Sequence, residues 1–150
     1  MAIPDELYRV FDDSSTSQYD EQDGFVAGNS HLRLKMSRHW SEWQKDMLIE
    51  ALDNHLDWYN RNPTPFISVY SSKSAAYASA NGRINDGKMG VIVAYIDGSK
   101  LFRGSLRKVW KLAEELGYYI PDKALDNSKS EWIVLQQIPS ESVHHLQYMN

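Results

Sequence analysis

Ser68 lies in "TPFISVYSS" (64–72), between an apolar pair and three further serines at 71, 72 and 74. Its hydroxyl either ends an ordinary strand or lines a pocket and holds a ligand. Two other polar residues interrupt segments that otherwise read as apolar strands: Arg9 in "ELYRVF" and Glu131 at the start of "EWIVLQQI". Taken singly, each has a plain explanation. Arg9 snorkels to a sheet edge, Ser68 bonds its own backbone, and Glu131 is a solvated strand start. Other candidate chemistry is thinner. His144 and His145 are adjacent, and in a regular strand they point to opposite faces and share no metal. Asp12–Asp13 is an acidic pair at a strand end, read as a solvated turn in preference to a Mg²⁺ site. The glycines form neither G-x-G-x-x-G nor a Walker loop. There is no G-x-S-x-G elbow, and the five histidines give no H-E-x-x-H.

The elements that position these residues follow from periodicity. A first strand spans 6–11, with Leu7 and Arg9 on one face and Tyr8 and Val10 on the other. "DDSSTSQYDEQDG" reads as a loop, and "GFVAGN" as a brief strand or turn. A helix lies within 37–60, where Trp40, Trp43, Leu48, Leu52, Leu56 and Tyr59 recur at three- and four-residue spacing. Ser41 with Gln44 fits a capping box. "FISVY" is a strand, followed by a small-residue helix, "SSKSAAYASAN", capped by Ser71 or Ser72. "NGRINDGKMG" reads as a loop. "GVIVAYID" is apolar from Val91 to Ile96, as in a strand buried on both faces. "GSLRKVWKLAEELG" is read as a second amphipathic helix, stopped by Gly117. "YYIPDKALDNSKS" reads as a loop, "EWIVLQQI" as one strand, and "SVHHLQYM" as a last strand. The irregular connections favour an α+β fold over regular βαβ winding.

Composition narrows the classes. The chain has 150 residues, which suggests one domain, with 42% apolar residues, five Trp and nine Tyr. A packed core is expected. Net charge is −4 with no cysteine, so disulfides and thiolate metal sites are excluded. No run of Lys and Arg exceeds two residues, which argues against a nucleic-acid binder. No apolar run approaches the roughly 18–20 residues needed to span a bilayer. The start, "MAIPDELYRV", lacks a signal pattern. These features suit a soluble protein, cytoplasmic if intact, or a secreted effector whose leader has been removed.

Taken in order, the segments "LYRV", "GFVAGN", "FISVYSSKSAAYA", "GVIVAYID" and "EWIVLQQIPSESV" resemble the cholera-toxin-like, Arg-Ser-Glu branch of the ADP-ribosyltransferase superfamily. They also resemble domains of uncharacterised fungal proteins that carry "RV" and "PFISV-SS" segments. The resemblance implies a split pair of small β-sheets flanked by helices, with NAD as substrate across the cleft and no metal. It implies that Arg9 grips phosphate or ribose oxygens. Ser68 would bond the nicotinamide ribose and support the carboxylate. Glu131 would bond the ribose 2′-hydroxyl and stabilise an oxocarbenium-like state. Tyr70 or Tyr77 would stack on the nicotinamide, core or rim packing being the alternative. Two departures bear on activity. Members that modify arginine carry a second Glu two residues before the catalytic one, where this chain has Lys129. The usual Ser-Thr-Ser reads Ser68, Val69, Tyr70. The resemblance therefore implies transfer to a macromolecular acceptor other than arginine, expected to be a protein, or to water. A second reading is a catalytically degenerate binding module that uses the cleft or the Trp-rich helix. A third is a phosphate-handling enzyme built on Asp12, Asp13 and a histidine.

Overall fold

In the computed structural model of the chain, residues 2–57, 60 and 62–150 are described. Nine strands and four helices follow in the order β1 (Glu6–Phe11), β2 (Tyr19–Asp20), β3 (Gly24–Val26), α1 (Glu42–Leu56), β4 (Phe66–Tyr70), α2 (Lys73–Asn85), β5 (Ile92–Asp97), β6 (Leu106–Lys108), α3 (Val109–Leu116), α4 (Asp122–Ser128), β7 (Glu131–Leu135), β8 (Gln137–Ile138) and β9 (Val143–Tyr148). A six-stranded sheet has the order β6-β7-β4-β1-β5-β9, and a three-stranded one the order β2-β3-β8. All the pairings are antiparallel.

The larger sheet is split near its middle. β1 pairs with β5 along six positions, and β4 pairs with β7 along five, but β1 meets β4 only at Tyr8–Tyr70. Beyond that contact the backbones diverge, and the gap exposes peptide groups that side chains must satisfy. The α+β fold expected from the irregular connections, with the pair of β-sheets flanked by helices that the resemblance implied, is the one observed.

Three apolar clusters hold these layers. Leu7, Phe11, Phe25, Val69 and Trp132 pack on one side of the sheet. On the other, Leu48, Leu52 and Leu56 of α1 meet Leu112 and Leu116 of α3, with Phe66 and Ile133 of the sheet beneath. Ala76 and Ala80 of α2 lie against Tyr8, Val10 and Val93, where the small side chains bring the helix close to the strands.

Helix α1 begins as its sequence dictates. Ser41 accepts from the Gln44 backbone, and the Gln44 side chain accepts from the Ser41 N–H. Trp43 lies five positions before Leu48, which turns it well off the buried face, and it is 64% exposed. The helix ends at Leu56; Trp58 and Tyr59, the latter expected on its stripe, lie outside the described residues. Ser72, not Ser71, caps α2, which runs on to Asn85 through a stretch read as a loop. Gly82 is tolerated there because nothing crowds it.

Three further expectations are corrected. Residues 106–108 form a strand, because edge pairing with β7 outweighs helical periodicity, and the helix starts only at Val109. The stretch read as a loop after Gly117 contains α4, launched by Pro121 and Asp122. "EWIVLQQI" is not one strand: Gln136 takes a left-handed φ of 69°, and the kink sends β8 into the smaller sheet. A register shift between Tyr95 and Ile96 also removes the simple alternation expected of His144 and His145. Both rings stand at 73° to that of Tyr95, at 6.0 and 5.1 Å between centroids.

Candidate active site

The split between β1 and β4 brings Arg9, Ser68 and Glu131 together. Ser68, Tyr70 and Glu131 share one face of the β4–β7 pair, since Tyr70 stands opposite Glu131 and Ser68 lies one diagonal away. The Ser68 hydroxyl donates to Glu131 Oε2 at 2.7 Å. From the other side of the divergence, Arg9 Nη1 donates to the Ser68 carbonyl at 3.2 Å and Nη2 to the Ser17 carbonyl at 3.0 Å.

A fourth residue completes the group. His55, on the last turn of α1, places Nε2 2.7 Å from Ser68 Oγ and Nδ1 2.6 Å from Thr64 Oγ1. Ser68 donates to Glu131, so the Nε2–H donates to Ser68, and in a neutral ring Nδ1 accepts from Thr64. Burial, helped by the Arg9 charge, pushes the His55 pKa down to about 4, so the ring is neutral at physiological pH. The sequence carries one signal for it: His55 is three residues after Leu52 and four after Ala51, a polar side chain on the buried stripe of its helix.

Burial sets the electrostatics. Glu131 is 7% exposed, and desolvation raises its pKa against the opposing hydrogen bond from Ser68. Arg9 is 8% exposed. Desolvation, with the nearby Arg83 charge, lowers its pKa to about 9, so it stays cationic at neutral pH. Its guanidinium lies over the Phe25 ring, 5.0 Å from the centroid. It bonds carbonyls and no carboxylate, and its Nε has no partner among the described residues. A buried cation held by neutral acceptors alone favours an anionic ligand.

Two cavities adjoin here, both bordered by His55, Ser68 and Arg83. One, of about 260 Å³, includes Arg9, Ser17 and Thr64. The other, of about 350 Å³, includes Tyr70, Asn127 and Glu131. Arg83 is anchored between them by Asp12, at 2.7 Å. Asp12 also accepts from the Ser14 backbone N–H, so its carboxylate is engaged in holding the loop after β1 and is not a free cation ligand. Asp13 is exposed.

The remaining candidates divide. Tyr70 is half-buried and lines the Glu131 cavity. Tyr77 lines neither cavity; its hydroxyl pairs with that of Tyr95, and Lys73 Nζ lies over both rings. Lys129 is exposed at the C-terminal end of α4, two residues before Glu131. Val69, in place of the usual Thr, points into the apolar cluster on the opposite face.

No curated protein matches the sequence. Among solved structures, that of EcPltA, an ADP-ribosyltransferase, matches at a TM-score of 0.57 and 13% identity, over 95% of this chain and 74% of that one. At this identity the likeness shows the fold, which is ADP-ribosyltransferase-like. A family model matches residues 2–148, so the chain belongs to the family described as a domain of unknown function, DUF7587.

Proposed function

We propose that this protein binds NAD in the split of the larger sheet and cleaves its nicotinamide–ribose bond, passing ADP-ribose to a protein acceptor or to water. The observation that carries the reading is the buried Arg9, bonded to carbonyls alone, beside a serine that aims a buried glutamate into the adjoining cavity. Arg9, with Arg83 near it, suits the pyrophosphate. Glu131 Oε1 has no hydrogen-bond partner among the described residues, which leaves it for the ribose 2′-hydroxyl.

In the reaction the C1′–N1 bond breaks and its electron pair leaves with nicotinamide, whose ring becomes neutral. Positive charge develops on the ribose, where the Glu131 carboxylate stabilises it. The acceptor attacks C1′ and releases its own proton. Ser68 acts as a positioning residue: its hydrogen bond both aims Glu131 and favours the ionised form. His55 fixes the Ser68 proton. Lys129 stands where an arginine-modifying enzyme needs a carboxylate, and a cation there does not deprotonate a guanidinium. Arginine is therefore not the acceptor.

The test incubates labelled NAD with the protein, with and without a cell lysate, and follows free nicotinamide and labelled macromolecules. Nicotinamide release with labelled protein supports transfer, and release without label supports hydrolysis. Absence of both, with no heat of NAD binding, refutes the proposal. The exposed Trp43 favours a second reading, in which the start of α1 contacts a protein partner. That reading predicts capture of a partner that Trp43→Ala abolishes while NAD turnover stays unchanged.

A further inference from the structure

Around β6, the edge strand beside β7, lies a separate hollow of about 480 Å³ that shares no lining residue with either cleft cavity. Alternation along β7 turns Trp132 away from the cleft. Glu131 faces the cleft with Ser68, while Trp132 faces the other way and joins Leu106 in the floor of the hollow. The walls are basic. Arg38, Arg103, Arg107, Lys108 and Lys111 converge from a loop, a turn, β6 and α3. These are five of the 16 cations in a chain of net charge −4.

The single carboxylate in the lining does not neutralise them. Glu115 is held by Arg38 at 2.6 Å and by Arg107, so both its oxygens are engaged, and Lys111 pairs with Glu114, outside the lining, at 3.3 Å. Among the described residues, Arg103 and Lys108 make no side-chain hydrogen bond or ion pair. Helix α3 starts at Val109 with no side-chain cap, and Lys108 and Lys111 flank this first turn. Its unbonded N–H groups and helix dipole add positive potential to that of the side chains. Gathering like charges around a concavity opposes folding unless an anion is present to offset them. The volume suits a small molecule.

We infer that this hollow is a binding site for a small polyphosphate, either a bare phosphate chain or the phosphate tail of a nucleotide, distinct from the NAD cleft. Arg103 and Lys108 supply the free donors, and Arg107, already oriented by Glu115 and by the Met36 carbonyl, supplies a fixed one. The site does not depend on the function proposed for the cleft.

The experiment titrates tripolyphosphate, ATP and citrate separately into the full chain, by calorimetry and by following the Trp132 indole resonance. The same titrations are run on the double variant Arg103→Ala/Lys108→Ala and on Arg9→Met. Neither side chain removed in the double variant has a hydrogen-bond or ion-pair partner among the described residues, so that variant is expected to fold, as circular dichroism will check. Expected is one-to-one binding of tripolyphosphate or ATP, a moving Trp132 signal, and affinity at least about tenfold weaker in the double variant but unchanged in Arg9→Met. ATP tighter than tripolyphosphate identifies a nucleotide as ligand; the reverse order identifies the phosphate chain alone. The inference is overturned if neither phosphate binds, if citrate binds equally well, or if affinity is lost with Arg9 and not with the double variant.

Discussion

Acidification is expected to destabilise this protein through His55. The folded pKa is about 4 against the ordinary histidine value of 6.5, so the unfolded chain takes up the proton first. Stability from the neutral ring is complete above pH 6.5 and is lost as pH falls toward 4. Linkage gives the size: about 2 kcal/mol lost by pH 5 and about 3 kcal/mol by pH 4, as upper values for a ring that is partly rather than wholly buried. Against a total stability of roughly 5–15 kcal/mol, that loss moves a urea midpoint measurably. Glu131 has the opposite sign. Its raised folded pKa makes burial less costly at low pH, so its contribution is lost as pH rises through that value. Urea unfolding of the wild type and of His55→Gln, at several pH values between about 7 and 4.5, isolates the histidine. The glutamine retains a donor toward Ser68 but does not titrate, so its stability should fall less steeply. Parallel slopes, or a His55 resonance titrating at or above its ordinary value, would show that the imidazole is not the neutral link between Thr64 and Ser68.

Other perturbations test neighbouring parts of the account. Ser68→Ala removes the hydrogen bond that favours the ionised Glu131, so the acid limb of the NAD-cleavage pH profile is expected to move to higher pH; an unmoved limb contradicts the positioning role. Asp12→Asn weakens the hold on Arg83 and is expected to cost about 2 kcal/mol by thermal unfolding, with weaker NAD binding by calorimetry as Arg83 is released. Gly24→Ala places a Cβ 2.0 Å from the Ile138 carbonyl oxygen at a φ of +73°. It is expected to cost at least about 2 kcal/mol by separating β3 from β8, and an unchanged melting temperature would contradict that packing.

Much of the site was legible because Arg9, Ser68 and Glu131 are polar residues within apolar strands, and their order along the chain matches a known arrangement. Periodicity alone does not show that they meet. That depends on β1 and β4 diverging after one pair, a feature of pairing between strands nearly sixty residues apart. His55 escaped notice because stripe counting looks for apolar residues, whereas the informative one was the polar exception. β6 was hidden because Leu106, Val109 and Ala113 fit helical spacing as well as they fit a strand followed by a shorter helix. The basic hollow was invisible for a related reason. Its cations at positions 38, 103, 107, 108 and 111 are scattered in sequence and form no basic run, and folding alone gathers them.

The most direct measurement is the rate of nicotinamide release from NAD by the wild type and by Glu131→Gln, with folding and NAD binding verified for both. The account predicts a release rate roughly 10²–10³ lower in the variant, the scale for losing one preorganised electrostatic group, while NAD still binds through Arg9. A variant that releases nicotinamide as fast as the wild type would contradict it.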